Sequence, residues 1–313
     1  MRAHAQLIFW AVLVAALALL PPVVGVLHEP FYVELVRRVM IFAIAAASLN
    51  LILGYGGLVS FGHAAYLGIG GYAVGILSFY GMNSGWLQWP VAIGASALVA
   101  LAIGAVSIRA SGMYFIMITL AFTQMLYYLG ISIEEFGGDD GMRIKTRSQF
   151  SGLIDLADPV ASYYLVLVLM FGTIYLVHRI ARSRFGMVLR AAKSNEARSR
   201  AIGFSPYSYR LCAFTIAGAL CGLAGALLAN HTAYITPDFM HWTRSGEIMF
   251  MVILGGVASS AGPLLGALVL LVFETLLAGW TEHWQVILGP LLVVSVIFFR
   301  TGLAGIIPGA GDE

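Results

Sequence analysis

The sequence is dominated by a succession of apolar runs, most of them about twenty residues long. About 20 apolar residues in an α-helix, rising about 1.5 Å each, cross the hydrocarbon core of a bilayer. Only 10% of the 313 residues are charged, against about 25% in soluble domains, so the chain could not cover a globule with polar surface. We therefore predict an all-α integral membrane protein, a polytopic bundle of about ten transmembrane helices. The runs lie near 7–27, 39–54, 62–80, 89–108, 111–131, 160–178, 211–230, 246–259, 262–279 and 285–300.

The first run follows a positively charged start, which is also typical of a signal peptide. Because it is about 21 residues long and can span a bilayer, we expect a transmembrane helix at 7–27. Further along, small residues favour close helix packing through two GxxxG pairs, Gly71–Gly75 and Gly218–Gly222. Cys212 and Cys221 lie too far apart on one helix to form a disulfide.

Two stretches of the chain resemble each other. "GGLVSFGHAAYLGI" begins at Gly56 and "GGVASSAGPLLGAL" begins at Gly255, each directly after a run too short to span a bilayer without tilt. Both consist of a glycine pair, two apolar residues, a turn of small residues and a glycine-rich helix. We predict broken helices at both places, of the kind found beside transport paths. The alternative is two unrelated glycine-rich turns.

Charge is distributed very unevenly between two long connectors. The basic connector, residues 179–210, holds eight Lys or Arg residues and one acid, Glu196. The acidic connector, residues 132–159, holds six acids against three Lys or Arg residues. By the positive-inside rule, 179–210 is cytoplasmic and 132–159 is outside, which places both termini in the cytoplasm. Arg37 and Arg38 fall on the outer side and oppose this scheme.

Within the basic connector, "VLRAAKSNEARSRAI" has the composition of one short helix, ended by Gly203 and Pro206. As the sole acid among basic neighbours, Glu196 is expected to pair with a local Arg198 or Arg200, or with a cation on another protein. The connector could serve as a docking helix, or only hold the topology against lipid phosphates.

The polar residues inside the spans are mostly uncharged. They can line a path for a weakly held solute, or they can form hydrogen bonds between helices. His63 and Glu274 are ionisable as well, which makes them functional candidates inside a membrane. The candidate path residues are Asn50, Ser60, His63, Thr119, Thr123, Gln124 and Ser259.

The sequence contains no P-loop, HExxH, CxxC or GxSxG motif, so it offers no ATP site of that type, no catalytic residue and no metal ligand set. No cofactor is predicted. Two other classes stay open. An ion-coupled secondary transporter would need no ATPase, but no ladder of ionisable residues runs along a span. An intramembrane enzyme would need a nucleophile and base, which the spans do not supply.

Several stretches, in order over about residues 39–307, resemble the branched-chain amino acid ABC transporter permeases, and in particular the M-type subunit of the heterodimeric permease. The family also includes urea and short-chain amide permeases. The resemblance rests on "LNLILGYGGLVSFGHAAYLGIGGYAVGIL" (49–77), "SGMYFIMITLAFTQM" (111–125), "FGGDDGM" (136–142), "LRAAKSNEARSRAIGFSPYSYRLCAFTIAGALCGLAGALLA" (189–229), "ILGGVASSAGPLLGA" (253–267) and "RTGLAGI" (300–306).

The resemblance implies one permease domain over 1–313, with an N-terminal helix and connector at 1–38 and the family core at 39–307. It implies a bacterial inner-membrane importer subunit that hydrolyses no ATP itself. The expected partners are a second homologous permease, two cytoplasmic ABC ATPases, a periplasmic solute-binding protein and membrane lipid, with no nucleic acid. The favoured solute is a branched-chain amino acid, and urea or a short amide is the alternative. The implied ATPase-coupling residues are Arg190, Ala191, Asn195, Glu196 and Gly203.

Overall fold

The computed structural model describes residues 2–27, 29–150, 155–281, 283, 286–287, 289–290, 293 and 302–306, and these are mostly helical. A π-helix, Leu51–Tyr55, continues α2, and one pair of short strands, β1 (Met142–Arg143) and β2 (Tyr234–Ile235), is antiparallel. The helices are α1 (Arg2–Leu27), α2 (Pro30–Asn50), α3 (His63–Phe79), α4 (Gly85–Ser107), α5 (Met113–Ser132), α6 (Pro159–Arg182), α7 (Arg184–Ser194), α8 (Glu196–Ala201), α9 (Pro206–Thr232), α10 (Trp242–Gly255) and α11 (Gly262–Ala278).

Each apolar run predicted before residue 280 coincides with one of these helices, so the all-α membrane fold is confirmed. The run predicted at 285–300 lies largely outside the described residues. Within the described part, five helices are long and apolar enough to cross a membrane, namely α2 with its π-helical extension, α4, α5, α6 and α9. Shorter apolar helices include α3 and α11. The structure therefore supports a polytopic protein without establishing ten spans.

Glycines bring α3 and α9 into backbone contact at the centre of the bundle. A side chain at Gly70 would run into the carbonyl of Gly222, and one at Gly225 would run into the carbonyl of Leu67. Small residues at such positions let helices approach closely in lipid. Gly222 belongs to a predicted GxxxG pair. Gly71, which belongs to the other predicted GxxxG pair, has only ordinary van der Waals contacts. Its neighbour Gly70 makes the closer approach to α9.

The two charged connectors lie at opposite ends of α6. The acidic connector packs against the residue before β2, where Ile144 N donates to Ala233 O. It also packs against the turn before α4, where Gln149 N donates to Asn83 O. The basic connector lies at the other end, where it meets the π-helix of α2. This opposition agrees with the charge asymmetry, and the assignment of one end to the cytoplasm stays a prediction.

Arg37 and Arg38, the exceptions to the charge rule, are paired inside the bundle. Arg37 is 3% exposed, and its Nε donates to His231 Nδ1 at 2.8 Å. Arg38 forms an ion pair with Glu274 at 3.0 Å. Because each guanidinium has a partner on another helix, these residues act in packing, and Glu274 is accounted for by the same pair. The two free cysteines, Cys212 and Cys221, form no disulfide, as predicted.

Candidate functional site

Both predicted breaks are present, and they have corresponding geometry. The first break, residues 51–62, begins with the π-helix and ends where α3 starts; the second break, residues 256–261, separates α10 from α11. The second glycine of each pair has a positive φ, +69° at Gly57 and +120° at Gly256. That region is open mainly to glycine, so the glycine pairs end the helices here for a steric reason. In each case the next helix begins six residues after that glycine.

Asn50 joins the two breaks. Its Nδ2 donates to the carbonyl of Ser259 at 2.9 Å, and its Oδ1 accepts from the amide of Ala258 at 2.9 Å. Asn50 is 1% exposed, so both hydrogen bonds lie away from water. A side chain at Gly54 would run into Asn50 Oδ1 and the Ala258 amide, which explains a glycine there. One amide side chain therefore satisfies two backbone groups that the second break leaves without helical partners.

Hydroxyl groups hold the irregular backbone before α3. Thr119 Oγ1 accepts from Phe61 N at 3.2 Å, and Thr123 Oγ1 donates to Phe61 O at 3.2 Å. Ser60 Oγ accepts from Gly62 N at 3.1 Å. Non-helical backbone at membrane depth requires such protein partners. Thr119 and Thr123 were grouped with Ser60 from the sequence, and the structure brings all three together.

Ser245, on α10, has the same role and was not identified from the sequence. Its Oγ accepts from the amide of Ala64, in the first turn of α3, at 2.9 Å. A serine in an apolar helix carries no distinctive signal, because only the fold places it beside a free helix N-terminus.

His63 is fully buried and makes one side-chain hydrogen bond, from Nε2 to Ser48 Oγ at 2.8 Å. Because Ser48 Oγ already donates to Ala45 O, the hydrogen-bond network assigns the proton to His63 Nε2. His63 Nδ1 has no partner among the described residues. The ring is thus a packed imidazole at the start of α3, and its one described side-chain partner, Ser48, is not ionisable.

Six of the seven candidate path residues are buried, at most 5% exposed, and Gln124 is partly exposed on α5. Five of the six make side-chain hydrogen bonds near the breaks; Ser259 instead offers its carbonyl, and its buried Oγ has no partner within the described structure. A solute could reach these groups only if a break moved. Their role in a path stays a prediction.

The basic connector folds into two helices where one was predicted. Asn195 separates α7 from α8 with an extended backbone, φ −155° and ψ 103°, and its Oδ1 accepts from Arg198 N at 2.9 Å. The single-helix prediction was wrong because asparagine competes for backbone amides as an N-cap. Gly203 does end the second helix, with φ +90°.

Glu196 has two partners within the chain. It meets Arg200 at 2.5 Å, as one of the predicted pairs, and Arg210 at 2.6 Å, which the sequence did not indicate. Arg210 also donates to Ala192 O at 3.2 Å, so it binds the end of α7 to α9. Partial burial raises the pKa of the Glu196 carboxyl, but the hydrogen bonds and charges of Arg210 and Arg200 outweigh that effect and leave the pKa below its ordinary value.

The other predicted coupling residues differ in exposure. Ala191 is exposed, whereas Arg190 is partly buried and donates to Ala181 O at 3.2 Å. Ala192, which follows Ala191 on α7, is 1% exposed and is buried in the bundle. Large apolar side chains are nevertheless exposed at this end: Met187 at 54%, Ile202 at 65% and Phe204 at 41%.

Lys193 connects the basic connector to the first break. Its Nζ donates to the carbonyl of Gly54 at 2.7 Å, and its stem lies over Gly57. A cavity of about 170 Å³ lies beside this contact, between the first break, the turn before α5, and the Glu196–Arg210 pair. Nothing in the sequence distinguished Lys193 from its basic neighbours.

Apolar helices, two breaks that meet at one end, and a folded basic connector beside them define a polytopic membrane transport protein with discontinuous helices. A family model described as "Branched-chain amino acid transport system / permease component" matches residues 31–296. The chain belongs to this permease family, as its sequence motifs indicated.

Permeases of the LivM type and of the LivH type are both similar to this chain. The high-affinity branched-chain amino acid transport system permease protein LivM of Escherichia coli K12 is 29% identical over 294 residues, which cover 87% of this chain and 69% of the relative. LivH of the same organism is 23% identical, with 84% and 91% covered. BraD of Pseudomonas aeruginosa is also 23% identical, with 84% and 91% covered. No solved structure matches this chain.

Proposed function

We propose that this protein is the M-type permease subunit of an ATP-binding-cassette importer for branched-chain amino acids. The observation that carries the proposal is the basic connector, which folds into two helices and is bound to the first break by Lys193. The names of the relatives supply the solute. A permease whose sequence has no P-loop would receive the energy of ATP through such a contact.

The exposed apolar side chains of the basic connector fit docking to a cytoplasmic ATPase. Met187 and Ile202 lie at the end of the molecule where the cations are concentrated, and both are more than half exposed. A connector that only held topology would gain nothing from exposing them to water. The docking surface then consists of Met187, Ala191 and Ile202, while Glu196 and Arg190 support it from within.

The orientation follows from the same assignment. The basic connector and both termini lie in the cytoplasm, and the acidic connector lies outside, toward a periplasmic solute-binding protein. Cysteine at Ser194, an exposed position, should react with a membrane-impermeant thiol reagent only after the inner membrane is permeabilised. Labelling in intact spheroplasts would reverse the orientation.

A second, homologous permease is the proposed partner within the membrane. Both LivM-type and LivH-type relatives match this chain. Within the described structure, α5 is the least buried of the five long apolar helices: 17% of its most apolar segment is buried, against 83% for α2. We place the second permease against the exposed face of α5.

Reconstituted uptake tests the function. Vesicles that carry the permease pair, the ATPases and the binding protein should accumulate labelled leucine when ATP is supplied on the side of the membrane that carries the ATPases. An ion gradient alone should not drive this uptake. Labelled urea serves as the matched solute. Uptake of urea in place of leucine would assign the alternative solute class, and ATP-independent uptake would indicate a secondary transporter.

Docking is tested separately through exposed positions. Ile202→Asp and Met187→Asp should reduce co-purification of the ATPase with the permease, because each places a charge in an apolar contact. The matched control is Ala197→Asp, at another exposed position of the same connector. Equal recovery of the ATPase with all three variants would leave the connector as a topology determinant.

A further inference from the structure

Lys193 makes a contact that topology alone does not require. The positive-inside rule needs only cations on the cytoplasmic side, free in water or near lipid phosphate. Lys193 Nζ instead donates to a backbone carbonyl, Gly54 O, at 2.7 Å, across 139 residues of sequence. Lys193 and Arg198 are both exposed residues of the connector, but the side chain of Arg198 has no hydrogen bond or ion pair among the described residues.

The position of Gly54 gives this contact its importance. Gly54 lies in the π-helix at the end of α2, where backbone carbonyls lose their regular partners; the amides of Gly57 and Leu58 return to Leu53 O and Ile52 O. A cation at the C-terminal end of a helix also interacts favourably with the helix dipole. Lys193 thus supplies a hydrogen-bond donor to the Gly54 carbonyl at the point where the chain leaves the helix.

The first break lies directly against the second break. Gly54 packs directly against Asn50 and the amide of Ala258, and Asn50 binds the second break through Ala258 and Ser259. On the opposite side, α7 is fixed to α9 by the bond from Arg210 to Ala192 O. A series of contacts therefore runs from α7 through Lys193 to the first break, whose boundary with the second break is formed by Gly54 and Asn50.

We propose that Lys193 is the positioning residue that transmits displacement of the basic connector to the first break, through its hydrogen bond to Gly54 O. This rests on the proposed function, since the displacement comes from a docked ATPase. When α7 moves, the ammonium draws the Gly54 carbonyl with it or releases it. Either change alters the backbone at 54–57, where Gly57 has the conformational freedom to respond.

The test uses the full complex in vesicles and measures leucine uptake and ATP turnover in parallel. Lys193→Met keeps the length of the side chain and removes the donor. It should leave ATPase co-purification intact while lowering leucine moved per ATP severalfold, because the connection between α7 and the first break is then lost. Lys193→Arg, which keeps charge and donors, should restore most of the coupling. Arg198→Met removes a charge from the same connector and should change nothing.

The outcomes separate the two levels of the argument. Wild-type uptake per ATP in Lys193→Met would overturn the role of Lys193 while leaving the permease function standing. Loss of the ATPase from the Lys193→Met complex would also overturn it, because Lys193 would then act in docking. A wild-type complex without ATP-dependent uptake would overturn the proposed function, and the role of Lys193 with it.

Discussion

The two breaks share a sequence pattern and differ in what holds them. At the second break the helices on the two sides are themselves in backbone contact, since a side chain at Gly255 would run into the carbonyl of Gly262, and Asn50 of α2 adds two hydrogen bonds to that break. The first break is held by side chains from elsewhere in the chain, among them Thr119 of α5 and Lys193 of α7. Backbone contact allows little adjustment, whereas a lysine can change rotamer at small cost.

This difference indicates that a glycine pair can make two kinds of joint. At the second break it permits backbone contact between α10 and α11, which leaves little room for movement. At the first break it permits a change of direction whose stability depends on side chains that belong to other segments. A displacement outside the membrane therefore has access to the first break and little access to the second.

Replacing one glycine of each pair by alanine should give the largest loss of stability at the second break. Gly255→Ala forces apart backbone atoms of α10 and α11, so it should destabilise the protein at or above the upper end of the about 1–3 kcal/mol range for overpacking. Gly57→Ala meets the movable stem of Lys193 and a strained φ of +69°, which together cost about 1–2 kcal/mol. Thermal unfolding midpoints in detergent measure both.

Gly94→Ala is the control for this pair, because nothing lies within 4 Å of the new methyl group. It should be neutral or slightly stabilising. If Gly57→Ala lowered the midpoint more than Gly255→Ala, the distinction between the fixed and the adjustable break would be wrong.

A loss close to that of Gly255→Ala is expected from Asn50→Leu, which removes the hydrogen bonds that join the breaks. The Ala258 amide and the Ser259 carbonyl would each lose a partner, at about 1–3 kcal/mol for a buried group left unpaired. Gln124→Leu, at a partly exposed position, should stay within about 0.5 kcal/mol. Equal midpoints for the two variants would show that Asn50 does not join the breaks.

The smallest effect concerns pH at the basic connector. Because the folded-state pKa of Glu196 is lowered, its pairing stabilises α8 above the ordinary carboxyl pKa of about 4.3 and loses that contribution as pH falls through the lowered value. The carboxylate is 36% exposed, so solvent screening limits the pairs to about 0.2–1 kcal/mol.

A nitroxide at Ala197, an exposed residue of α8, reports this change. In wild type its mobility should rise as pH falls below the ordinary carboxyl range and through the lowered pKa of Glu196. With Glu196→Gln it should be raised at neutral pH already and stay constant. The same rise in both proteins would attribute the effect to other groups.

Much of the fold was predictable from the sequence because lipid imposes a simple rule on it. Apolar length located the helices, and the glycine pairs located both breaks, since each feature acts locally. The polar character of Thr119, Thr123 and Ser60 marked them as candidates, but the approach of α5 to the first break depends on helix packing.

The long-range partners were not predictable. Lys193 to Gly54, Arg210 to Glu196, and Ser245 to Ala64 each join residues whose approach depends on how whole helices pack. Asn195 shows a different difficulty. Helix composition on both sides of it favoured one continuous helix, and only its capping hydrogen bond to Arg198 N reveals the bend.

The first break is expected to respond to the basic connector, and the second break is not. Thiol labelling in the reconstituted complex, in a background lacking Cys212, tests this expectation most directly. Cysteine replaces Val59 in the first break or Val257 in the second, both at least partly exposed. Addition of ATP should change the labelling rate at position 59 and leave that at position 257 constant, and Lys193→Met should abolish the change. Equal changes at both positions, or a change at 59 that survives Lys193→Met, would contradict the account.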